Sequence, residues 1–221
     1  MKKPEDATEP MTGKQFDTRK DYNGAPFDES SASDDPFMQL QLWLDEARQV
    51  SLIEANAMVL ATVDQHGAPQ ARTVLLKALD RSGLVFYTNY DSRKGRDIAD
   101  NPAVALVFNW PTMERQVRVS GEAAKVDPAE SDAYFSSRPL GSQIGAAASP
   151  QSEPVPDRAW LEERFERFSG DGTPLVRPPN WGGYRVQPAM FEFWQGRPNR
   201  LHDRLRYDGV GSGWEIIRLA P

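Results

Sequence analysis

Phe37, Leu40, Trp43, Leu44, Ala47 and Val50 recur three and four residues apart, the spacing that lines side chains along one face of a helix. Asp35 and Pro36 stand just before them, an N-capping side chain followed by a proline suited to the first turn. A helix is therefore predicted to begin at Asp35 and to cover an apolar surface. From Ala57 the period shortens. "AMVLATV", "ARTVLLKAL" and "LVFYTN" are β-rich runs broken by turn residues at "DQHGAP" and "DRSG", and "AVALVFNW" and "RQVRVSGEAAKV" follow. Helical interruptions are predicted at "SRKGRDIAD", where Ser92 can cap, at "PAESDAYFSSR" and at "DRAWLEERFERF", with "DGTPLVRPPN" as a long loop. The chain then returns to strands at "GGYRV", "AMFEFWQG", "RLHDRLRYD" and "WEIIRLA". Closely spaced strands without a βαβ rhythm predict a mainly β fold with peripheral helices (α+β), a small barrel with helical additions.

Ahead of Asp35 the apolar pattern lapses. Residues 1–35 carry five basic and nine acidic side chains, a net of −4 that leaves only about −2 for the rest of the chain, whose total is −6. Rich in Asp, Glu, Ser, Pro and Gly, this stretch buries too little to offset its ordering entropy. Residues 1–34 are therefore expected to form a mobile acidic tail, and 35–221 a single domain. Composition then narrows the chemistry. The chain has no cysteine and two histidines, His66 and His202, so disulfides, thiolate catalysis and cysteine-based metal sites are excluded and no metal centre is indicated. No window reaches the ~18 apolar residues of a membrane span, and "MKKPEDATEP" lacks the apolar core of a secretory signal. A cytoplasmic protein with neither membrane nor nucleic-acid partner is expected, its chemistry drawn from a borrowed organic group.

Its cations are unevenly placed. Arg72 and Lys77 bracket "TVLL" on a predicted strand, Arg93 and Lys94 open a predicted helix, and Arg138 follows another. A basic pair at a helix N-terminus, where backbone N–H groups are already free, suits a phosphate. No glycine-rich dinucleotide or triphosphate loop occurs in its expected context. The densest cluster is "FEFWQGRPNRLHDR", Phe191 to Arg204. Period-two alternation along a strand "RLHDR" would bring Arg200, His202 and Arg204 to one side, opposite a strand bearing Trp194. Such a face suits a flat, electron-rich ligand, since a guanidinium both stacks and donates hydrogen bonds.

This run resembles the signature of the pyridoxamine 5'-phosphate oxidase family: aromatic, Glu, aromatic, Trp, Gln, four variable positions, then Arg-Leu-His-Asp-Arg. The resemblance continues in order through "RTVLLK", "VFYTN", "SRK", "ERQVRVSG", "YFSSRP", "SQIGA", "QS", "WGGYRV" and "RLAP", covering about Asp35 to Pro221. It implies an FMN-binding split β-barrel that forms a homodimer with FMN at the subunit interface. It also implies oxidation of pyridoxine or pyridoxamine 5'-phosphate to pyridoxal 5'-phosphate, with hydride passing to the flavin and O2 reduced to hydrogen peroxide.

By the same resemblance, Arg72, Thr73, Val74, Leu75, Leu76, Lys77, Tyr87, Thr88, Arg93, Lys94, Gln116, Gln151, Ser152, Trp194 and Arg204 would surround FMN. Lys77, Tyr134, Arg138 and Ser142 would take the substrate phosphate, two cations and two hydroxyls for a dianion. Arg200 and His202 would contact the pyridine ring as the catalytic pair. Arg200 is too strong a base to accept a proton and is assigned to orientation and charge stabilisation. His202 could assist proton removal or simply bind the ring. Arg19 and Tyr22 align with a segment that closes over the substrate in relatives, although "NGAPFDES" replaces the basic or leucine-rich stretch that often follows there. Relatives also commonly have a tryptophan and a lysine near Ala147 and Pro150. The alternative is a split-barrel protein that binds flavin or B6 vitamers without turnover, against which the presence of Lys77, Arg138, Arg200 and His202 speaks.

Overall fold

The computed structural model describes residues 21–50, 54–170 and 175–221. Helix α1 (Pro36–Gln49) precedes the hairpin of β1 (Ala57–Val63) and β2 (Pro69–Leu75), the short β3 (Ala78–Asp80), and β4 (Gly83–Asn89). After α2 (Arg93–Asp100) come β5 (Ala103–Trp110) and β6 (Arg115–Lys125), then three helices, α3 (Pro128–Ser137), α4 (Leu140–Ala148) and α5 (Arg158–Ser169). The chain ends in β7 (Trp181–Gln195), β8 (Asp203–Val210) and β9 (Gly213–Arg218). Pairing is antiparallel and the order is β2-β1-β5-β6-β7-β4-β3, with β8 also on β7 and β9 on β8.

Strand β7 carries this topology. One edge runs along β6, while the other pairs with β4 over Trp181 to Val186 and with β8 over Met190 to Gln195. The sheet divides there, giving the split, curled form expected of the fold class. The β6–β7 register shifts between Ser120, opposite Met190, and Gly121, opposite Pro188, so Ala189 bulges out of β7 at the bend. Gly121 is required at this point, because a Cβ would lie 2.1 Å from the Gln187 carbonyl oxygen. Alternation along β7 turns Phe191 and Phe193 into the core, both fully buried. There Phe193 meets Trp43 edge-on at 5.3 Å, and Phe191 meets Phe37 at 5.2 Å.

Helix α1 starts as predicted, with the Asp35 carboxylate accepting the Phe37 N–H at 2.9 Å. Ser92 caps α2 through the Gly95 N–H. Three features differ from the pattern-based expectation. "ARTVLLKAL" is two strands, because at Leu76 and Lys77 the backbone N–H groups leave the ladder for the carbonyls of Asn56 and Val85. "GGYRV" and "AMFEFWQG" are one strand of 15 residues. Helix α4 was not anticipated, its small residues offering no clear stripe.

The expected tail boundary also needs correction. Residues 1–20 lie outside the described residues, but packing begins well before Asp35. Phe27 is buried against Trp43 and Phe193 at 5.0 and 6.3 Å, and Tyr207 donates its hydroxyl to the Ser33 carbonyl. One aromatic anchor and a few backbone hydrogen bonds suffice to dock a segment that a composition average reads as unfoldable. Among the described residues no helix is long and apolar enough to cross a membrane. Phe27→Ala is expected to destabilise the protein by about 3 kcal/mol, the usual cost of emptying a buried phenylalanine site, measured as a lowered urea midpoint.

Candidate active site

The helix-start cations form a first group. Lys94, in the first turn of α2, is buried, and its Nζ reaches Thr88 Oγ1 at 3.2 Å, Ser92 Oγ at 3.3 Å and Gln151 Oε1 at 3.2 Å. Each of these partners is neutral. Burial, reinforced by repulsion from Arg72 and only partly opposed by Asp97, pushes the ammonium down to about 8. Arg72 on β2 donates to Thr62 Oγ1 at 2.6 Å and lies 3.5 Å from Asp97. Arg93 spans Asp64 and Asp97 at 2.8 and 3.6 Å. Asp97, itself buried, thus faces both arginines and accepts the Thr62 hydroxyl at 2.6 Å.

Next to Lys94 opens a cleft of about 380 Å³ lined by Tyr87, Thr88, Arg138, Ser142, Gln151 and Trp181, among others. The Arg138 guanidinium lies over the Trp181 ring at 4.6 Å, and its Nη1 is buried without a hydrogen-bond partner. A buried, unpaired guanidinium nitrogen is costly unless a ligand completes it. Tyr134 stacks on Tyr87 at 3.8 Å. Burial, with Glu130 nearby, pushes the Tyr87 hydroxyl up to about 12 and keeps it neutral. Lys77 and Ser152 are exposed at the margins, Ser152 in a left-handed conformation with φ 76°. Of the stretch Arg72 to Lys77, only Leu76 is buried. Thr73, Val74 and Leu75 belong to β2, which ends the main strand order and pairs with β1 alone.

A second group stands on the outer face of β6, β7 and β8. Gln116, Trp194 and Arg204 lie abreast in register across the three strands. Arg204 binds Glu192 Oε1 through Nε at 3.0 Å and Nη2 at 2.8 Å. Arg200 and His202 are not on a strand, which corrects the alternation argument. Arg200 closes a 3-10 turn, Pro198–Arg200, in which Asn199 and Arg200 are both left-handed at φ 57° and 62°. His202 precedes β8 and accepts the Arg197 backbone N–H at Nδ1, 3.1 Å away. That bond leaves its proton on Nε2. Burial, followed by the Arg200 charge, lowers the imidazole from its ordinary value.

Across this second group runs the segment before α1. Tyr22 meets Trp194 and His202 edge-on at 5.7 and 5.5 Å. Glu114 accepts the Asn23 and Gly24 N–H groups at 2.8 and 3.0 Å, and Arg197 holds the Gly24 carbonyl. Gly24 is needed for this approach, since a Cβ would fall 2.2 Å from Gln195 Nε2. Arg19 lies outside the described residues. Among the described residues, no hydrogen bond, ion pair or ring contact joins the two groups. Sequence reading missed Asp97, Glu192, Glu114 and Arg197. Asp97 could have been found from its place four residues after Arg93 on a helix, and Glu192 from its alternation with Phe191 and Phe193. Glu114 and Arg197 meet the segment through folding alone.

The sequence matches two family models, "Pyridoxamine 5'-phosphate oxidase" over residues 44–172 and "Pyridoxine 5'-phosphate oxidase C-terminal dimerisation region" over 181–221. The chain is 55% identical to a pyridoxine/pyridoxamine 5'-phosphate oxidase from Ralstonia pickettii over 93% of this chain and 98% of that one. It is 52% identical to another from Rubrobacter xylanophilus over 99% of this chain and 100% of that one. Among solved structures, PhzG from Burkholderia lata 383, in complex with tetrahydrophenazine-1-carboxylic acid, superposes with a TM-score of 0.85 at 31% identity, over 89% of this chain and 98% of that one. An FMN-binding protein from Nostoc punctiforme, at 20% identity and TM-score 0.71, shares the fold.

The lowered Lys94 makes a pH prediction. An unfolded lysine titrates near ~10.4, so between about 8 and that value the unfolded chain holds more protons and unliganded stability rises with pH. Lys94→Met should abolish the rise between pH 8 and 9.5 in thermal unfolding. The variant should also melt roughly 2–4 °C above the parent at pH 7 without ligand, the shift made by about 1 kcal/mol in a chain of this size.

Proposed function

The chain belongs to the pyridoxamine 5'-phosphate oxidase family, and we propose that its two groups of residues are the complementary halves of an FMN site that oxidises pyridoxine or pyridoxamine 5'-phosphate to pyridoxal 5'-phosphate. The observation that carries this reading is a pair of incompletely matched cations, the buried Lys94 and the half-buried Arg138. Lys94 has only neutral partners and Arg138 has a buried nitrogen with none. Lys94 bonds Thr88 and Gln151, which line the same cleft as Arg138, so two phosphate-bearing ligands could be held close together. When bound, FMN supplies the hydride acceptor and the route by which O2 becomes hydrogen peroxide.

Lys94, Arg72 and Arg93 hold the FMN phosphate, with the free N–H groups of the α2 N-terminus adding to the field. Arg138, Ser142, Tyr134 and Lys77 hold the substrate phosphate. Gln116, Trp194 and Arg204 supply a flat polar and aromatic wall for the ring system. The match to a C-terminal dimerisation region over residues 181–221 supports a homodimer. In this reading the wall of one subunit faces the phosphate pockets of its partner, with FMN at the interface. That arrangement accounts for two groups that, among the described residues, share no hydrogen bond, ion pair or ring contact.

The His202 hydrogen bond limits its role. With Nδ1 occupied by the Arg197 N–H and the proton on Nε2, the imidazole serves as a neutral hydrogen-bond donor to the substrate ring. It has no free lone pair with which to remove a proton. Arg200, exposed and held in a left-handed turn, supplies charge toward the ring oxygen. Tyr22, already edge-on against Trp194 and His202, acts as a cover that excludes water once substrate is seated. The sequence "NGAPF" supports this cover through Gly24 and Phe27.

The defining experiment loads the protein with FMN, removes O2 and adds pyridoxine 5'-phosphate. The flavin absorption should bleach and return on admission of air, with aldehyde formed. A flavin that stays yellow with both phosphorylated vitamers overturns the oxidase reading. Arg138→Ala should raise the substrate KM roughly 30-fold or more, the effect of removing about 2 kcal/mol of charge pairing, with FMN retained. Arg72→Ala should instead weaken FMN. For His202→Gln, which keeps an N–H donor, kcat should fall by no more than about tenfold and its pH profile should keep its shape from pH 6 to 9. Loss of an acidic limb in the variant would identify His202 as a base.

A further inference from the structure

Glu192 is a carboxylate in a place that would otherwise be reserved for apolar side chains or solvent-facing charges. It lies between the core residues Phe191 and Phe193 on β7, but alternation turns it to the opposite face, in the row next to Trp194. Its side chain is only 7% exposed. A charge removed from water to that degree must be paired on both oxygens to be tolerated, and it is. Oε1 receives Nε and Nη2 of Arg204 at 3.0 and 2.8 Å, and Oε2 receives Nη1 of Arg118 at 3.1 Å. The two arginines are unequal. Arg118, directly opposite on β6, is half exposed and bonded through one nitrogen, whereas Arg204 is 25% exposed and held through two.

The third nitrogen of Arg204 is also held, with Nη1 donating to the Ala220 carbonyl at 2.7 Å, while the Leu219 N–H returns to the Arg204 carbonyl at 2.9 Å. A guanidinium has five N–H donors. Three are committed to Glu192 and Ala220, which fixes the plane of the group beside Trp194. One donor on each terminal nitrogen is left for a ligand.

We infer that Glu192 is a positioning residue for the cofactor: it fixes the plane and charge of Arg204 so that the two remaining N–H donors meet FMN. This rests on the FMN reading of the second group. It adds a residue that touches no ligand and acts through Arg204. Without the carboxylate, Arg118 and Arg204 would face each other across β7 as like charges, and only the Ala220 carbonyl would restrain the Arg204 fork. A lysine at 204 would keep the charge but could not engage Glu192 through two nitrogens and a ligand through two more.

The test titrates apoprotein with FMN, following the quenching of flavin fluorescence, and records the visible circular dichroism of the bound flavin. Glu192→Gln and Arg204→Lys should each raise the FMN Kd about tenfold or more and change the dichroism. The double variant should bind no worse than the weaker single one, since both remove the same arrangement. Arg118→Met should stay within about twofold of the parent. The inference is overturned if Glu192→Gln binds FMN with the parent's Kd and spectrum, or if the double variant shows the product of the two single losses. Should Glu192→Gln fail to fold, Arg204→Lys decides alone, and a Kd within twofold of the parent overturns the inference. A parent protein that takes up no FMN overturns the functional reading and this inference together, an outcome distinct from equal binding by parent and variant.

Discussion

The alternation of side chains along β7 is the constraint on which the rest of the molecule depends. A single strand of 15 residues serves as the seam of the divided sheet, so its two faces must satisfy incompatible demands. Phe191 and Phe193 must be apolar because they close over α1. Glu192 and Trp194, one residue out of phase, lie on the other face, which carries Gln116, Arg204 and the proposed ligand wall. A shift of one residue in register would exchange these sets, placing a carboxylate against Trp43 and two phenylalanines in the ligand wall. The one-residue shift that does occur is confined to the bulge at Ala189, before Met190, so the register from Met190 to Gln195 is kept against both β6 and β8. Core stability and site geometry are therefore two consequences of one register.

Charge is distributed on a similar economy. The cations that the proposed reading assigns to orienting a ligand are braced by buried carboxylates, Arg72 and Arg93 by Asp97 and Arg204 by Glu192. Lys94 and Arg138, by contrast, are left with neutral partners or none. A braced arginine keeps its geometry but has part of its charge already compensated. An unbraced buried cation gains most from an arriving dianion, and its desolvation weighs against the empty protein. Pairing every cation would stabilise the unliganded fold at the expense of phosphate affinity. Pairing none would leave the arginines free to turn away from the ligand.

Much of this was legible in the sequence. Helix α1 and its Asp35 cap, the Ser92 cap of α2 and most strands follow from spacing and capping chemistry, which are local. The ordered motifs likewise pointed to the residues that the fold gathers into two groups. What escaped was non-local or sterically specific. The strand period could not foresee that two consecutive left-handed residues, Asn199 and Arg200, would form a turn that delays β8 until after His202. Composition could not foresee that Phe27 would anchor an otherwise polar segment between Trp43 and Phe193. Glu114 and Arg197 hold that segment across separations of about 90 and 173 residues, and no window of sequence contains such a pair.

The C-terminal strands offer a reason why dimerisation and the proposed cofactor contact would fall in one segment. The outer face of β7 and β8 carries Trp194, Glu192 and Arg204, a surface too polar for a monomer's core and too aromatic and tightly paired for an ordinary solvated face. Its carboxylate is already nearly removed from water by Arg118, Arg204 and their surroundings, so covering that face with a partner requires little further desolvation of Glu192. A flat, polar cofactor placed there satisfies donors such as the two spare N–H groups of Arg204, which a purely protein interface would leave buried and unmatched. On this account the cofactor belongs to the interface itself, and the subunit contact should strengthen as the site fills, because the same buried donors are unmet when it is empty.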